Sequence, residues 1–306
     1  MEDRSLKRNI ILFIGLILCG LCFSCKQKSI TSQAPLRIGY MICNSLNESR
    51  TRFEPITAYL QEKLRRPIES IYINTADVED AVRKKEVDFT HTNSILYIIF
   101  KEKYGATLIA GEVRGRYGYK DAGTIISLKE SGIKTIQDMK GKTMIFGPAL
   151  APLGYLSQYD LMLRNGFDPE EELAFYRIPW GAFKHEKVVY GVLFGAYDIG
   201  AAPRIDLDHM VAEGKIRMDD FHIIAENEPI PYCTTAAMAH VDPAMVQQVK
   251  DILIGITQEE SVLVDGEVLK ILQSAWIERF AAVEDSEYDS LRDMLRRCNM
   301  SPYEEY

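Results

Sequence analysis

Short apolar segments of strand length alternate with amphipathic segments of helix length along most of this 306-residue chain. That alternation narrows the fold more than any other feature. Leu36-Arg-Ile-Gly-Tyr-Met-Ile42 is strand-like, and a helix is expected from about Arg52 to Arg65, where Phe53, Ile56, Leu60 and Leu64 form an apolar stripe. Pro67 ends that helix. Ile68–Ile73 reads as a strand, Ala76–Lys85 as a short helix, Val87–Phe89 as a brief strand and Ser94–Tyr104 as a helix. Strand and helix in turn predict a largely parallel sheet covered by helices.

A second unit repeats this grammar. Thr124–Leu128, Lys142–Phe146, Phe175–Ile178 and Tyr197–Ala202 read as strands. Leu153–Asn165, closed by Gly166, and Lys184–Phe194 read as helices. Thr234–Ala239 is a further strand, and Asp242–Thr257, Gly266–Ala275 and Tyr288–Arg297 are expected to be closing helices. Such a chain leaves one lobe, builds another and returns. Lobe 1 is expected over residues 36–122 and 236–306 and lobe 2 over 123–235, with crossings near Ala122–Ser127 and Ala225–Thr235. The fold class is α/β, a two-lobed clamp with two crossover strands and a C-terminal helical closure.

The N-terminus decides the compartment. A basic start (Arg4, Lys7, Arg8) precedes an apolar run from Ile10 to Phe23 that stops at Ser24-Cys25. The run has the length of a signal h-region (~7–15 residues) and falls short of the ~20 that span a bilayer. Its end resembles the lipobox of bacterial lipoproteins, with Cys22 where that motif usually has Leu. The resemblance implies a signal peptide over residues 1–25, Cys25 acylated as the new N-terminus, and a tether over 26–35. The protein is then expected in the periplasm or on the extracytoplasmic face of the membrane, held to the bilayer by lipid on Cys25. An uncleaved anchor is the alternative.

With 47% hydrophobic and 26% charged residues, the composition is that of an ordinary globular protein. A formal charge of −8 and the lack of a basic stripe with interleaved aromatics argue against nucleic acid. A cleft can still hold local positive potential for an anionic ligand. Beyond Cys25, the cysteines are Cys43, Cys233 and Cys298. They form neither a disulfide framework nor a Cys-x-x-Cys metal pattern, so no metal and no cofactor are expected. The sequence holds no Gly-x-Ser-x-Gly elbow, His-Glu-x-x-His or P-loop.

Ligands of open α/β sheets gather beyond the carboxyl ends of the strands, where helices begin. Three junctions qualify: Cys43-Asn44-Ser45, Thr90-His91-Thr92-Asn93-Ser94, and Gly147-Pro-Ala-Leu-Ala-Pro-Leu-Gly154 before Tyr155. Helix N-termini suit anions, although Thr, Asn and Ser there also serve as plain N-caps.

Phe53-x-Pro55 with Tyr59-Leu60, Val87-Asp88 before a polar helix start, Ser131-Gly132-Ile133 with Gly141-Lys142, Gly154-Tyr155, His185 and Tyr197-Asp198-Ile-Gly-Ala201 recur in a particular order. Together, over roughly residues 36 to 260, they resemble the phosphate/phosphite/phosphonate-binding proteins, periplasmic solute-binding proteins of ABC transporters. The resemblance implies a type II-like clamp closing over a small anion. It also implies His185 as a ligand contact and Gly154-Tyr155 as the end of the oxyanion-holding turn. That family's turn is hydroxyl-rich; here Ala149, Leu150, Ala151, Pro152 and Leu153 stand instead. Losing two or three side-chain hydrogen bonds to an ion, about 1.5–3 kcal/mol each, weakens a phosphate site by orders of magnitude. The ligand is therefore open between a phosphonate- or phosphate-like oxyanion and something softer.

Cys43 and Cys233 bear on that choice. Two thiols facing a cleft favour a thiophilic oxyanion or a metal; otherwise they bridge across the hinge or fill the core. Arg114 and Arg116 precede the first crossing, and an arginine there, Arg116 by expectation, can grip an anion bidentately; solvated surface charge is the alternative for both. The expected contacts are thus Cys43, Asn44, Ser45, His91, Thr92, Asn93, Arg116, Gly154, Tyr155, His185 and Cys233. The expected function is a lipid-anchored, monomeric solute-binding protein for an ABC permease. A ligand-binding partner of a sensor histidine kinase is the alternative. An exported enzyme using Cys43 and His185 is a third reading, with no further sequence support.

Overall fold

Near-continuous apolar runs such as Leu36–Ile42 belong in parallel sheets buried on both faces. In the computed structural model, which describes residues 34–305, that run is β1 (Leu36–Ile42). It leads through α1 (Leu46–Leu64) to β2 (Ile68–Asn74), then α2 (Val78–Arg83), β3 (Phe89–Asn93), α3 (Ser94–Tyr104) and β4 (Thr107–Val113). The signal segment, Cys25 and residues 26–33 of the tether lie outside the described residues. A short crossing strand β5 (Lys120–Asp121) opens the second unit. There β6 (Gly123–Leu128), β7 (Thr143–Ile145), α4 (Ser157–Arg164), α5 (Pro169–Glu172) and β8 (Phe175–Arg177) follow. Next come α6 (Glu186–Leu193), β9 (Ile199–Pro203), α7 (Arg204–Ala212) and β10 (Phe221–Glu226). The chain returns through β11 (Ile230–Pro231) to β12 (Cys233–Ala237) and α8 (Pro243–Gly255). It closes with β13 (Ser261–Val264), β14 (Glu267–Lys270), α9 (Ile271–Ala275), β15 (Arg279–Ala281) and α10 (Asp289–Arg297).

Two sheets result. The first has the order β15-β4-β12-β3-β1-β2 and the second β10-β6-β9-β7-β8. In the first, β1 pairs in parallel with β2 and β3, while β12 runs antiparallel between β3 and β4. The chain passes between the sheets twice, through residues 114–122 and 227–232, and β5 and β11 pair there as an antiparallel ladder. The first passage lies ahead of the expected 122–127, because Gly123–Leu128 is already a full strand of the second sheet.

Three expectations are corrected. α1 begins at Leu46 rather than Arg52, because the Ser45 hydroxyl accepts from Glu48 N at 3.2 Å and caps it. Thr90–Asn93 is strand, not loop: β3 sits mid-sheet, paired on both sides, and all its residues are buried. Only the second half of Gly266–Ala275 is helix, Ile271–Ala275. Asp265 (φ 49°) and Gly266 (φ 86°) make the turn of the β13–β14 hairpin, an Asp-Gly signal between alternating apolar residues.

The C-terminal segment ties the two units together. Leu291, Met294 and Leu295 of α10 share one apolar cluster with Tyr97 and Ile98 of α3 and with Leu153 and Leu156 of the second unit. Arg297 reaches the buried Asp160 of α4, Nε to Oδ1 at 2.6 Å and Nη2 to Oδ2 at 3.1 Å. Just before α10, Glu287 accepts from Tyr119 at 2.9 Å and pairs with Lys120 at 2.6 Å.

Asp121 sits in the crossing ladder, buried, and accepts from Ile205 N at 3.1 Å. Burial pushes its carboxyl up to about 7, against the backbone bonds that pull it down. An acid raised on folding contributes stability that is full below its ordinary value of about 4 and is lost as pH rises through about 7. Asp121→Asn, which keeps the acceptor, is expected to melt at least ~3 °C above the native chain at pH 8 and level with it near pH 4. A gap of equal size at both pH values contradicts this assignment.

Candidate functional site

The carboxyl ends of β1 and β3 and the start of β12 lie side by side, with Cys233 opposite Asn93 in the ladder. Cys43, just beyond β1, and Cys233 therefore flank Asn93 at about two strand spacings, ~9.5 Å. A disulfide needs Cα atoms within about 7 Å, and both thiols are free. Asn93 caps α3, its Oδ1 accepting from Leu96 N at 3.0 Å, and its Nδ2 lies 3.6 Å from the Met41 sulfur. A cavity of about 690 Å³ opens at this edge, walled by both units and by the crossings.

Charge enters its floor from β4. Glu112 and Arg114 lie two residues apart at the end of that strand. Arg114 Nη2 donates to Cys233 Sγ at 3.2 Å and lies 3.6 Å from Glu112 Oε2. Its guanidinium is 4.7 Å from the Tyr232 ring centroid, and its buried Nε has no partner. Glu112 Oε1 bonds His91 Nε2. Burial alone would raise the Glu112 carboxyl, but His91 and Arg114 hold it down at about 2. Burial pushes both the Cys43 and Cys233 thiols up, so at neutral pH they are S–H groups, not nucleophilic thiolates. Arg52 of α1 donates to Ala275 O from Nε at 3.2 Å and Nη2 at 3.1 Å. It lies between the rings of Phe53 (4.8 Å) and Trp276 (4.7 Å).

The second unit supplies the facing wall. His185 Nδ1 pairs with Asp206 Oδ2 at 3.1 Å, and its Nε2 is buried without a partner. The Asp206 carboxyl is depressed: burial opposes this, and the His185 bond and charge outweigh it. The imidazole rests against the turn between β7 and α4. A Cβ on Gly154 would collide with His185 Nε2, and one on Gly147 would lie 2.8 Å from it. Bonds among the described residues join the units across the cleft, Asn93 Nδ2 to Leu150 O at 2.9 Å and Lys184 Nζ to Glu48 Oε2 at 2.8 Å.

Of the sequence-selected residues, Cys43, Asn44, Asn93, His185 and Cys233 line this cavity. Ser45 caps α1 instead. His91 lies beneath the floor on Glu112, and the Thr92 hydroxyl is buried without a partner. Gly154 backs His185, whereas Tyr155 packs on Phe146 and Tyr159 in the second unit's core. Arg116 turns outward to Asp208 at 2.6 Å. Gly115, at φ 74°, breaks the strand alternation between the two arginines, so Arg114 enters the cleft and Arg116 does not. Arg52, Asp206, Tyr232 and Trp276 also line it and were not selected from the sequence. The Glu112-x-Arg114 spacing would have marked Arg114 had Thr107–Val113 been read as a strand.

Two α/β units linked by two crossings, with a cleft beyond the carboxyl ends of their strands, define a clamp of the periplasmic solute-binding class. The chain belongs to the family described as ABC transporter, phosphonate, periplasmic substrate-binding protein, whose profile matches residues 38–288. Its fold is similar to that of PhnD1 from Prochlorococcus marinus (MIT 9301), solved with methylphosphonate: TM-score 0.72, 14% identity, 86% of this chain and 98% of that one. It is likewise similar to a binding protein component of an ABC phosphonate transporter from Pseudomonas aeruginosa, with TM-score 0.69, 16% identity and 86% of each chain. A curated relative, the tetrathionate sensor histidine kinase TtrS of Salmonella typhimurium (strain LT2), is 26% identical over 213 residues. That match covers 67% of this chain and 35% of the relative, so this chain spans about a third of the relative's length. The family and its structural neighbours are binding proteins.

Proposed function

We propose that this chain, held by lipid on Cys25 at the extracytoplasmic face, works as a monomer that captures a small oxyanion and delivers it to an ABC permease. The reading has no catalytic step: Cys43 Sγ faces Met41 O at 3.9 Å, while His185 is engaged by Asp206. The observation that carries it is Arg114, a half-buried guanidinium at the cleft floor whose buried Nε has no partner. Arg52 adds a second cation. Cys43, Asn93, His185 and Cys233 are the proposed polar and sulfur contacts around the anion.

A second reading is favoured by the sulfur-rich lining. Met41, Cys43 and Cys233 all line the cavity, and soft atoms suit a ligand with exposed sulfur. Likeness to a tetrathionate sensor kinase supports a receptor that reports such an anion to a kinase. Thermal denaturation of the full chain, purified in detergent, with phosphate, methylphosphonate, sulfate, thiosulfate and tetrathionate tests both. A ligand at 100 times its Kd adds about 2.7 kcal/mol. A shift with phosphate or methylphosphonate supports the transporter reading. A shift restricted to thiosulfate or tetrathionate, and lost in Cys43→Ser, supports the sensor. No shift with any anion refutes both.

A further inference from the structure

The cavity is far larger than the head group proposed for it. At about 690 Å³ it falls among sites for drug-sized molecules, about 300–1,000 Å³. A bare tetrahedral oxyanion displaces only a few water volumes of about 30 Å³ each. The walls already touch through Asn93–Leu150 and Lys184–Glu48, so this volume is that of a cleft whose walls are in contact.

The surplus space has a distinct chemistry. Beyond Arg52 the lining holds Trp276, Leu272 and Ile277 beside Gln258, Gln273 and Glu278. Trp276 is the residue that ends α9, at φ 59°, where Gly or Asn is the usual occupant. A bulky side chain in the left-handed region is strained, and such strain clusters at ligand clamps. The indole is held against the Arg52 guanidinium at 4.7 Å and yet is half exposed. A tryptophan kept half wet at a strained position beside a charged floor is a platform rather than core.

Resting on the reading that the floor takes an oxyanion, we infer that the ligand carries an organic substituent, apolar or aromatic, which lies along Trp276 while its anionic head group meets Arg114. Trp276 is thus a specificity residue for the body of the ligand. Leu272 and Ile277 complete that side of the chamber.

Isothermal titration of the full chain in detergent with methylphosphonate, phenylphosphonate, methanesulfonate and benzenesulfonate tests this. The aryl member of at least one pair is expected to bind at least ~10-fold more tightly than its methyl counterpart, from buried apolar area and ring contact. Trp276→Ala should erase that increment, costing the aryl anion at least ~5-fold more than its methyl counterpart, while Trp276→Phe should retain most of it. Equal affinity within both pairs, or a Trp276→Ala loss that is the same for aryl and methyl anions, overturns the inference and leaves oxyanion capture standing. Binding of none of the four while phosphate, sulfate, thiosulfate or tetrathionate binds overturns the inference and leaves oxyanion capture standing; no binding of any of these anions overturns both.

Discussion

Arg114→Lys is expected to weaken oxyanion binding by about 10²–10³-fold while leaving the unliganded protein folded. Lysine keeps the positive charge beside Glu112, so no buried carboxylate is stranded. What it loses is the planar fork, and with it the Nη2 bond to Cys233 and the stacking on Tyr232. Hydrogen bonds to a charged partner contribute about 1.5–3 kcal/mol each, and a point charge on a flexible stem does not replace two of them in fixed geometry. Arg116→Lys is the control, since Arg116 is bound to Asp208 outside the cavity. Calorimetry on the anion that stabilises the protein provides the readout. An Arg114→Lys affinity equal to that of Arg116→Lys removes Arg114 from the site.

Glu112→Ala should destabilise the fold by about 3–5 kcal/mol, the usual cost of stripping one partner from a buried ion pair. Glu112 is 1% exposed and serves both His91 and Arg114, so its loss leaves a half-buried guanidinium without its carboxylate. At roughly 2–4 °C per kcal/mol, Tm should fall by about 10 °C at pH 7. The pH dependence has a definite sign. Held at about 2 in the fold, the carboxylate contributes stability that is full above its ordinary value of about 4.3 and is lost as pH falls toward 2. The difference between variant and native chain should therefore be widest above pH 5 and should shrink in acid. A Tm change under 1 °C at pH 7, or a gap that widens in acid, contradicts the assignment.

Much of the fold was legible because its strands are apolar in the way parallel strands are. Leu36–Ile42 announces β1, and the i, i+3, i+4 spacing of Phe53, Ile56 and Leu60 announces α1. β3 was read too short, ending at Phe89, because the rest of it, Thr90, His91, Thr92 and Asn93, is polar and is buried by partners from elsewhere, Glu112 above all. Local pattern carries no trace of a partner 21 residues away. The cleft was half legible. Cys43, Asn93 and Cys233 stand at strand ends that the order of elements brings together. Choosing Arg114 over Arg116 required the positive φ of Gly115, and Trp276 faces the cleft only because the chain returns to the first sheet after the β13–β14 hairpin.

The C-terminal segment bears on how this clamp moves. Two crossings alone make a narrow joint, free to twist as well as bend. Here a third connection lies beside them: Glu287 holds Tyr119 and Lys120, α10 shares apolar contact with both units, and Arg297 is locked onto Asp160. Three ties side by side form a wide joint, which bends about one axis and resists torsion. The swing between open and closed then approaches a single degree of freedom. On the proposed function, a membrane partner would need to measure only one displacement to know whether the cleft is occupied.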